Sequence, residues 1–162
     1  MMADNDYRQM ELAWFRQQQK PAGWFELTAA LFEKIVDRDG EDEGIPLLRA
    51  AGEALADAFP LPPSDTVDAL QSHINALFSR FGWGEIAIVV GQASLRIDHY
   101  AAPSVADRER HLRWRHAFSA VLEGLFSRLI QVQSGKPHFS LRRESPLISD
   151  CIHFYCYHSA DT

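Results

Sequence analysis

The apolar positions of this chain switch between a helical and a strand period in a definite order. Trp24, Leu27, Leu31, Phe32 and Ile35 recur at helical steps and predict a helix over Trp24–Val36. The acidic stretch DRDGEDEG then breaks the pattern as a loop. A second helix is predicted from Pro46 to Phe59, with Leu47, Leu48, Ala51, Leu55, Ala56 and Phe59 on one side. Gly52 in its interior costs up to about 1 kcal/mol against alanine, and the expected reason is the close approach of a neighbouring helix. Pro60, Pro62 and Pro63 cannot continue the backbone ladder and end the segment. A third helix starts at Asp65 as cap, carries Asp68 in its first turn and buries Leu70, Ile74, Leu77, Phe78 and Phe81. Gly82 stands where a left-handed C-terminal cap is expected. His73 lies beside that stripe and reads as a partly buried helix residue rather than a ligand.

The period then changes to two. In EIAIVV, Ile86, Ile88 and Val90 share one face; in SLRIDHY, Leu95, Ile97 and His99 alternate with Arg96, Asp98 and Tyr100. Gly91-Gln92 fits a tight hairpin connection. A loop containing Pro103 leads to a long helix from about Val105 to Val132. Its broad apolar face holds Phe118, Val121, Leu122, Leu125, Phe126, Leu129 and Ile130, with Gly124 as a second site of tight packing. After the turn SGKP come two last strands, HFSLRRE and DCIHFYCYH. The order ααα-ββ-α-ββ predicts an α+β fold with a helical layer packed on a four-stranded antiparallel sheet. The expected organisation is an N-terminal arm over 1–22, one α+β domain over 23–158 and a short tail over 159–162. In the arm, Tyr7, Met10, Trp14 and Phe15 make an aromatic stripe too short to hold a free helix; it reads either as a flexible tail or, since two large aromatics are costly to leave in water, as a docking segment.

Composition narrows the function classes. The net charge of -6 argues against nucleic acid, apart from a local basic patch at Arg108, Arg110, Arg113 and Arg115. The beginning of the chain has acids early and no long apolar run, so neither a secretory signal nor a membrane span is expected. Two cysteines fit a reducing compartment, and the expected location is the cytoplasm.

Candidate chemistry is sparse. Cys151, His153, Cys156 and His158 resemble a metal set, C-x-H-x-x-C-x-H, but strand alternation places the first pair and the second pair on opposite faces. No metal and no cofactor are expected, and the two cysteines should not pair. No nucleophile elbow, phosphate loop or dinucleotide fingerprint is present. A thiol–imidazole pair between Cys151 and His99 or His138 cannot be placed from sequence. Glu123, beside Gly124, is the one acid worth following, and an ion pair is its expected role rather than a general base.

Association is the stronger signal. The last strand presents Ile152, Phe154 and Cys156 on one face and Cys151, His153, Tyr155 and Tyr157 on the other. One face can meet the helices; the second must be covered by the chain's own arm or loops, or by a partner. The interface candidates are Tyr155, Tyr157 and His153, with Trp14 and Phe15 from the arm.

The segments RAAGEALADAFPLPPSDTVDALQSHINALFSRFGWGEIAIV, SLRIDH and VLEGLFSRLI, in this order, resemble the D subunit of bacterial cellulose synthase complexes over roughly residues 25–157. The most specific part is INALFSRFGWG together with VLEGLFSRLI. The resemblance implies a non-catalytic accessory protein of cellulose synthesis. It implies a helix-plus-sheet fold that dimerises and assembles into an octameric ring, and partners among the other cellulose synthase operon proteins. Glucan chains are a further implied contact, and no catalytic residue is implied. With no secretory signal expected, a cytoplasmic scaffold that orders the synthases for crystalline cellulose export fits better than a channel for secreted glucan. The contrasting reading is a regulatory domain that binds a small molecule or lipid, with a tunnel between helices and sheet.

Overall fold

The helical and strand periods emerge in the expected order in a computed structural model, which describes residues 23–144, 146 and 151–157. Helix α1 spans Trp24–Asp39 and α2 spans Ile45–Ala58. The acidic stretch between them is not a loop. The chain passes through a five-residue π-helical turn, Gly40–Gly44, straight into α2. Gly40 takes φ 65°, and a Cβ on Gly44 would lie 2.9 Å from the Ile35 carbonyl oxygen, so glycine permits the fold-back at both ends. Pro46 falls in the first turn of α2, where its missing N–H is not needed.

Helix α3 spans Val67–Phe81, and its cap is Thr66 rather than Asp65. The Thr66 hydroxyl accepts from the Ala69 amide at 3.1 Å. Gly82 closes the helix in the left-handed conformation, as expected. Strands β1 (Glu85–Val90) and β2 (Ser94–Tyr100) are joined by three residues rather than two, with the Gly91 amide donating to the Ser94 carbonyl at 2.8 Å. Helix α4 spans Arg108–Ser134 and begins three residues later than its apolar pattern, because Asp107 supplies the cap to the Arg110 amide at 2.9 Å. Strand β3 is only Arg142–Arg143, and β4 is Cys151–Tyr157. The sheet is antiparallel throughout, in the order β1-β2-β4-β3.

Helix α4 organises the core. From Ala117 to Ile130 all of its residues except Arg128 are buried, which is the pattern of a helix enclosed on every side. One side meets the sheet through Phe126 on Phe154, with ring centres 5.2 Å apart. Another meets α1, where Phe32 stacks on Trp114 at 5.4 Å. Between these ends runs a continuous line of rings. Trp114 stacks on Phe118 and Phe118 meets Trp83, both at 5.0 Å; Trp83 meets Phe78 at 5.7 Å, and Phe78 stacks on Phe126 at 5.6 Å. Burying rings of this size supplies much of the apolar area that holds the layers together.

The contact of α2 with α4 is set by two glycines. A Cβ on Gly52 would lie 1.9 Å from the Val121 carbonyl oxygen, and one on Gly124 would lie 1.9 Å from the Arg49 carbonyl oxygen. The two backbones therefore touch, as the sequence suggested.

Both edges of the sheet are closed by helix side chains. On β1, the Asn75 amide donates to the Ile86 carbonyl at 2.9 Å and accepts from the Ile86 amide at 2.7 Å, and Gln71 accepts from the Ile88 amide at 2.8 Å. At the other edge, Glu123, Ser127 and Gln131 stand at four-residue steps on α4. They bond the Arg143 amide at 3.1 Å, the Leu141 amide at 2.8 Å and the Phe139 carbonyl at 2.7 Å. Amide, hydroxyl and carboxylate groups here take the place of a neighbouring strand.

His99 is fully buried on the core side of β2. Its Nε2–H donates to the Trp83 carbonyl at 2.6 Å, and its Nδ1 has no hydrogen-bond partner among the described residues. Burial lowers its pKa to about 4, against the opposing pull of the Trp83 carbonyl, and the Arg115 charge lowers it a little further.

Two outcomes follow from this packing. Helix propensity alone makes Gly→Ala stabilising by up to about 1 kcal/mol. The backbone contact reverses the sign, so Gly52→Ala and Gly124→Ala should each lower stability by about 1–3 kcal/mol in urea denaturation. For His99, the folded pKa lies below the unfolded value, so its contribution is complete above pH 6.5 and is lost as pH falls toward 4. That window is worth roughly 3 kcal/mol. Denaturation midpoints measured across it should fall steeply for the native chain and more gently for His99→Gln.

Candidate functional site

Strand register decides which side chains meet on the sheet face turned away from the helices. Asp98 stands opposite His153, Arg96 opposite Tyr155, and Tyr100 opposite Cys151. Asp98 is only 4% exposed although it lies on this outer face. Its Oδ2 accepts from Arg96 Nη2 at 2.9 Å, and its Oδ1 lies 2.5 Å from His153 Nδ1. The same Nδ1 lies 3.8 Å from Cys151 Sγ. Burial pushes the Cys151 thiol up, and the Asp98 charge adds to the shift. The Tyr100 phenol is raised by the negative character of Cys151 and then of Asp98. The face therefore carries a compact electronegative group of mixed O, N and S donors.

Of the interface candidates, His153 and Tyr155 lie half-buried on this face. Tyr157 lies in β4, paired with Ser94. Trp14 and Phe15 lie outside the described residues, as does His158. Cys156 is buried on the core side, so Cys156 does not share a face with Cys151 and His153, as strand alternation requires. His99 is likewise turned to the core and forms no thiol–imidazole pair with Cys151, while His138 is exposed after α4. Asp98 is the member of the outer-face group that reading along β4 missed. Only the register of β2 against β4 reveals it.

A second apolar surface lies on the helices. Trp24, Leu27 and Leu31 are 67%, 49% and 54% exposed, and Leu47 is 52% exposed. These residues and Ala51 were expected on packed faces. Instead α1 turns Phe25, Ala29 and Phe32 inward, because Phe25 and Phe32 pack on Trp114. A cavity of about 360 Å³ opens between α1, α2 and α4, lined by Phe25, Phe32, Leu55, Trp83, Trp114 and Phe118 among others. It lies among the helices, not between helices and sheet. His73 is half-buried, with its Nδ1 2.8 Å from the Ser64 hydroxyl.

Glu123 is an ion-pair anchor, as expected. Its carboxylate lies 2.6 Å from Arg49 Nε and accepts from the Arg143 amide, tying α4 to α2 and to β3. Three of the four arginines of the basic patch are paired or buried, while Arg108 is exposed. Arg110 pairs with Glu33 at 3.1 Å, Arg113 with Asp37 at 3.7 Å, and Arg115 is buried. Among the described residues, no helix is long and apolar enough to cross a membrane.

Comparison with known proteins agrees with the sequence blocks. Residues 10–152 match the family described as the D subunit of cellulose synthase. A protein of Komagataeibacter xylinus named cellulose synthase operon protein D is 35% identical over 105 residues, covering 63% of this chain and 65% of its own length. One of the same name from Komagataeibacter sucrofermentans is 33% identical over 109 residues, covering 65% of this chain and 68% of its own. The aligned stretch thus spans about two thirds of these relatives. With a family match over most of its length, the chain belongs to the family of cellulose synthase D subunits.

Proposed function

We propose that this chain is a non-catalytic accessory component of bacterial cellulose synthesis. In this reading it assembles with copies of itself, a dimer building to an octamer, and with other proteins of the cellulose synthase operon on the cytoplasmic side. The assembly spaces the synthases so that emerging glucan chains lie side by side and crystallise. Family membership supports the cellulose assignment. The observation that carries the assembly is large apolar or aromatic side chains left exposed on two separate faces. One is the outer sheet, with Val89 42% and Tyr100 45% exposed beside His153 and Tyr155; the other is the Trp24–Leu27–Leu31 stripe. Such patches mark contact surfaces. Tyr155, Tyr157 and His153 are the proposed contacts on the sheet side, with Trp14 and Phe15 from the arm. The non-catalytic part is supported by Glu123, the one acid singled out, being committed to Arg49 and the β3 backbone.

Light scattering on the full chain should give a discrete multiple of the monomer mass. Burying one leucine side chain is worth about 1.5–3 kcal/mol. Leu27→Glu with Leu31→Glu should therefore weaken association by more than about 100-fold while leaving the circular dichroism spectrum unchanged. A full chain that stays monomeric at micromolar concentration would refute the assembly. Cells carrying the double variant should make cellulose of lower crystallinity by X-ray diffraction.

A second reading rests on the apolar cavity among the helices, which has the size of a small-molecule site. Native mass spectrometry of the protein purified from its own cells should then show a bound apolar molecule, lost on Leu55→Trp.

A further inference from the structure

Strand alternation removes the four-residue C-x-H-x-x-C-x-H set as a metal site, but it leaves Cys151 and His153 together. The β2–β4 register then adds a third donor to that pair. A carboxylate oxygen of Asp98, Cys151 Sγ and a ring nitrogen of His153 all lie within 4.8 Å of one another on one sheet face. We propose that Asp98, Cys151 and His153 bind a borderline-soft divalent cation of the zinc type, with a fourth coordination position left to water.

Geometry supports the size of the site. Zinc bond lengths of 2.0–2.3 Å put ligand atoms about 3.3–3.6 Å apart around a tetrahedron. The Nδ1···Sγ separation is already 3.8 Å. Nδ1···Oδ1, at 2.5 Å, must open by about 0.8 Å to reach that tetrahedral edge, a small turn of the half-exposed imidazole. A hydrogen bond spans this gap, so a proton occupies the place the cation would take.

The donor set selects the ion. A thiolate with an imidazole and one carboxylate suits zinc or cobalt and discriminates against magnesium and calcium, which take oxygen ligands. The surroundings resemble the outer shell of a metal site. Arg96 grips both carboxylate oxygens, Oδ2 at 2.9 Å from Nη2 and Oδ1 at 2.8 Å from Nε; this fixes the carboxylate plane, and the guanidinium must give up Oδ1 for a cation to bind there. Tyr100 lies beside Cys151 across the β2–β4 pair. Two negative ligands, the Asp98 carboxylate and the thiolate formed on binding, neutralise a divalent ion. Binding forms the metal–sulfur bond and releases the thiol proton to solvent, and His153 coordinates through Nδ1 with its proton on Nε2. Because a thiol proton must leave, binding tightens as pH rises.

Cobalt(II) titrated alone into the full-length, metal-stripped protein tests this. One equivalent should produce the intense visible bands of a tetrahedral site and a thiolate-to-cobalt charge-transfer band, both displaced by zinc. Cys151→Ser should abolish the charge-transfer band, and Asp98→Asn or His153→Gln should abolish the tetrahedral bands. Cys156→Ser, on the core side, should retain all of them. A pale six-coordinate spectrum, or bands that survive Cys151→Ser, would overturn the proposal. Should Asp98→Asn fail to fold, Cys151→Ser still decides, since it is nearly isosteric at a half-exposed position.

Discussion

The approach of α2 to α4 at Gly52 and Gly124 is the constraint from which the other layers take their positions. With backbone against backbone, no side chain can separate the two helices there, so their relative position is fixed to fractions of an ångström. Arg49, whose carbonyl faces Gly124, also reaches the Glu123 carboxylate. Glu123 in turn holds the Arg143 amide of β3. One short stretch of contact therefore links α2, α4 and the last edge of the sheet. A change in helix spacing would move the carboxylate that terminates that edge.

The line of rings from Phe32 to Phe154 crosses the same helix and joins the remaining elements. It also accounts for the sequence blocks that carry the family likeness. INALFSRFGWG supplies Phe78 and Trp83, and VLEGLFSRLI supplies Phe126 together with Gly124. The two glycines around Trp83 have a local reason. Gly82 is left-handed, and Gly84 passes so close to the Tyr100 carbonyl that a Cβ would lie 2.1 Å from it. Trp83 is thereby turned inward, with its carbonyl presented to His99.

Element order, strand faces and both tight glycines were legible in the sequence because each follows from local periodicity or from the cost of glycine in a helix. What depended on partners distant in sequence was not. The exposed stripe of α1 looked like a packed face, because Leu27 and Leu31 are as apolar as Phe25 and Phe32 and only the position of Trp114 separates them. The acidic stretch looked like a loop, since nothing in its composition distinguishes a π-helical turn from a break. On the outer sheet, Cys151 and His153 were visible as neighbours on one strand. Asp98 entered only through register, which alternation within a single strand does not determine. The polar spacing Glu123, Ser127 and Gln131 was readable in principle as a four-residue stripe, but its partners are backbone groups of a segment with almost no strand of its own.

The closed rims of the sheet have a consequence for how such molecules can join. With Gln71 and Asn75 along one border and Glu123 and Ser127 along the other, the amides of Ile86, Ile88, Leu141 and Arg143 are already taken and do not wait for an incoming chain. Growth by adding strand to strand has no natural stopping point, whereas contact through broad surfaces ends once those surfaces are used up. Edge groups occupied in this way favour meeting through faces over lengthening of the sheet.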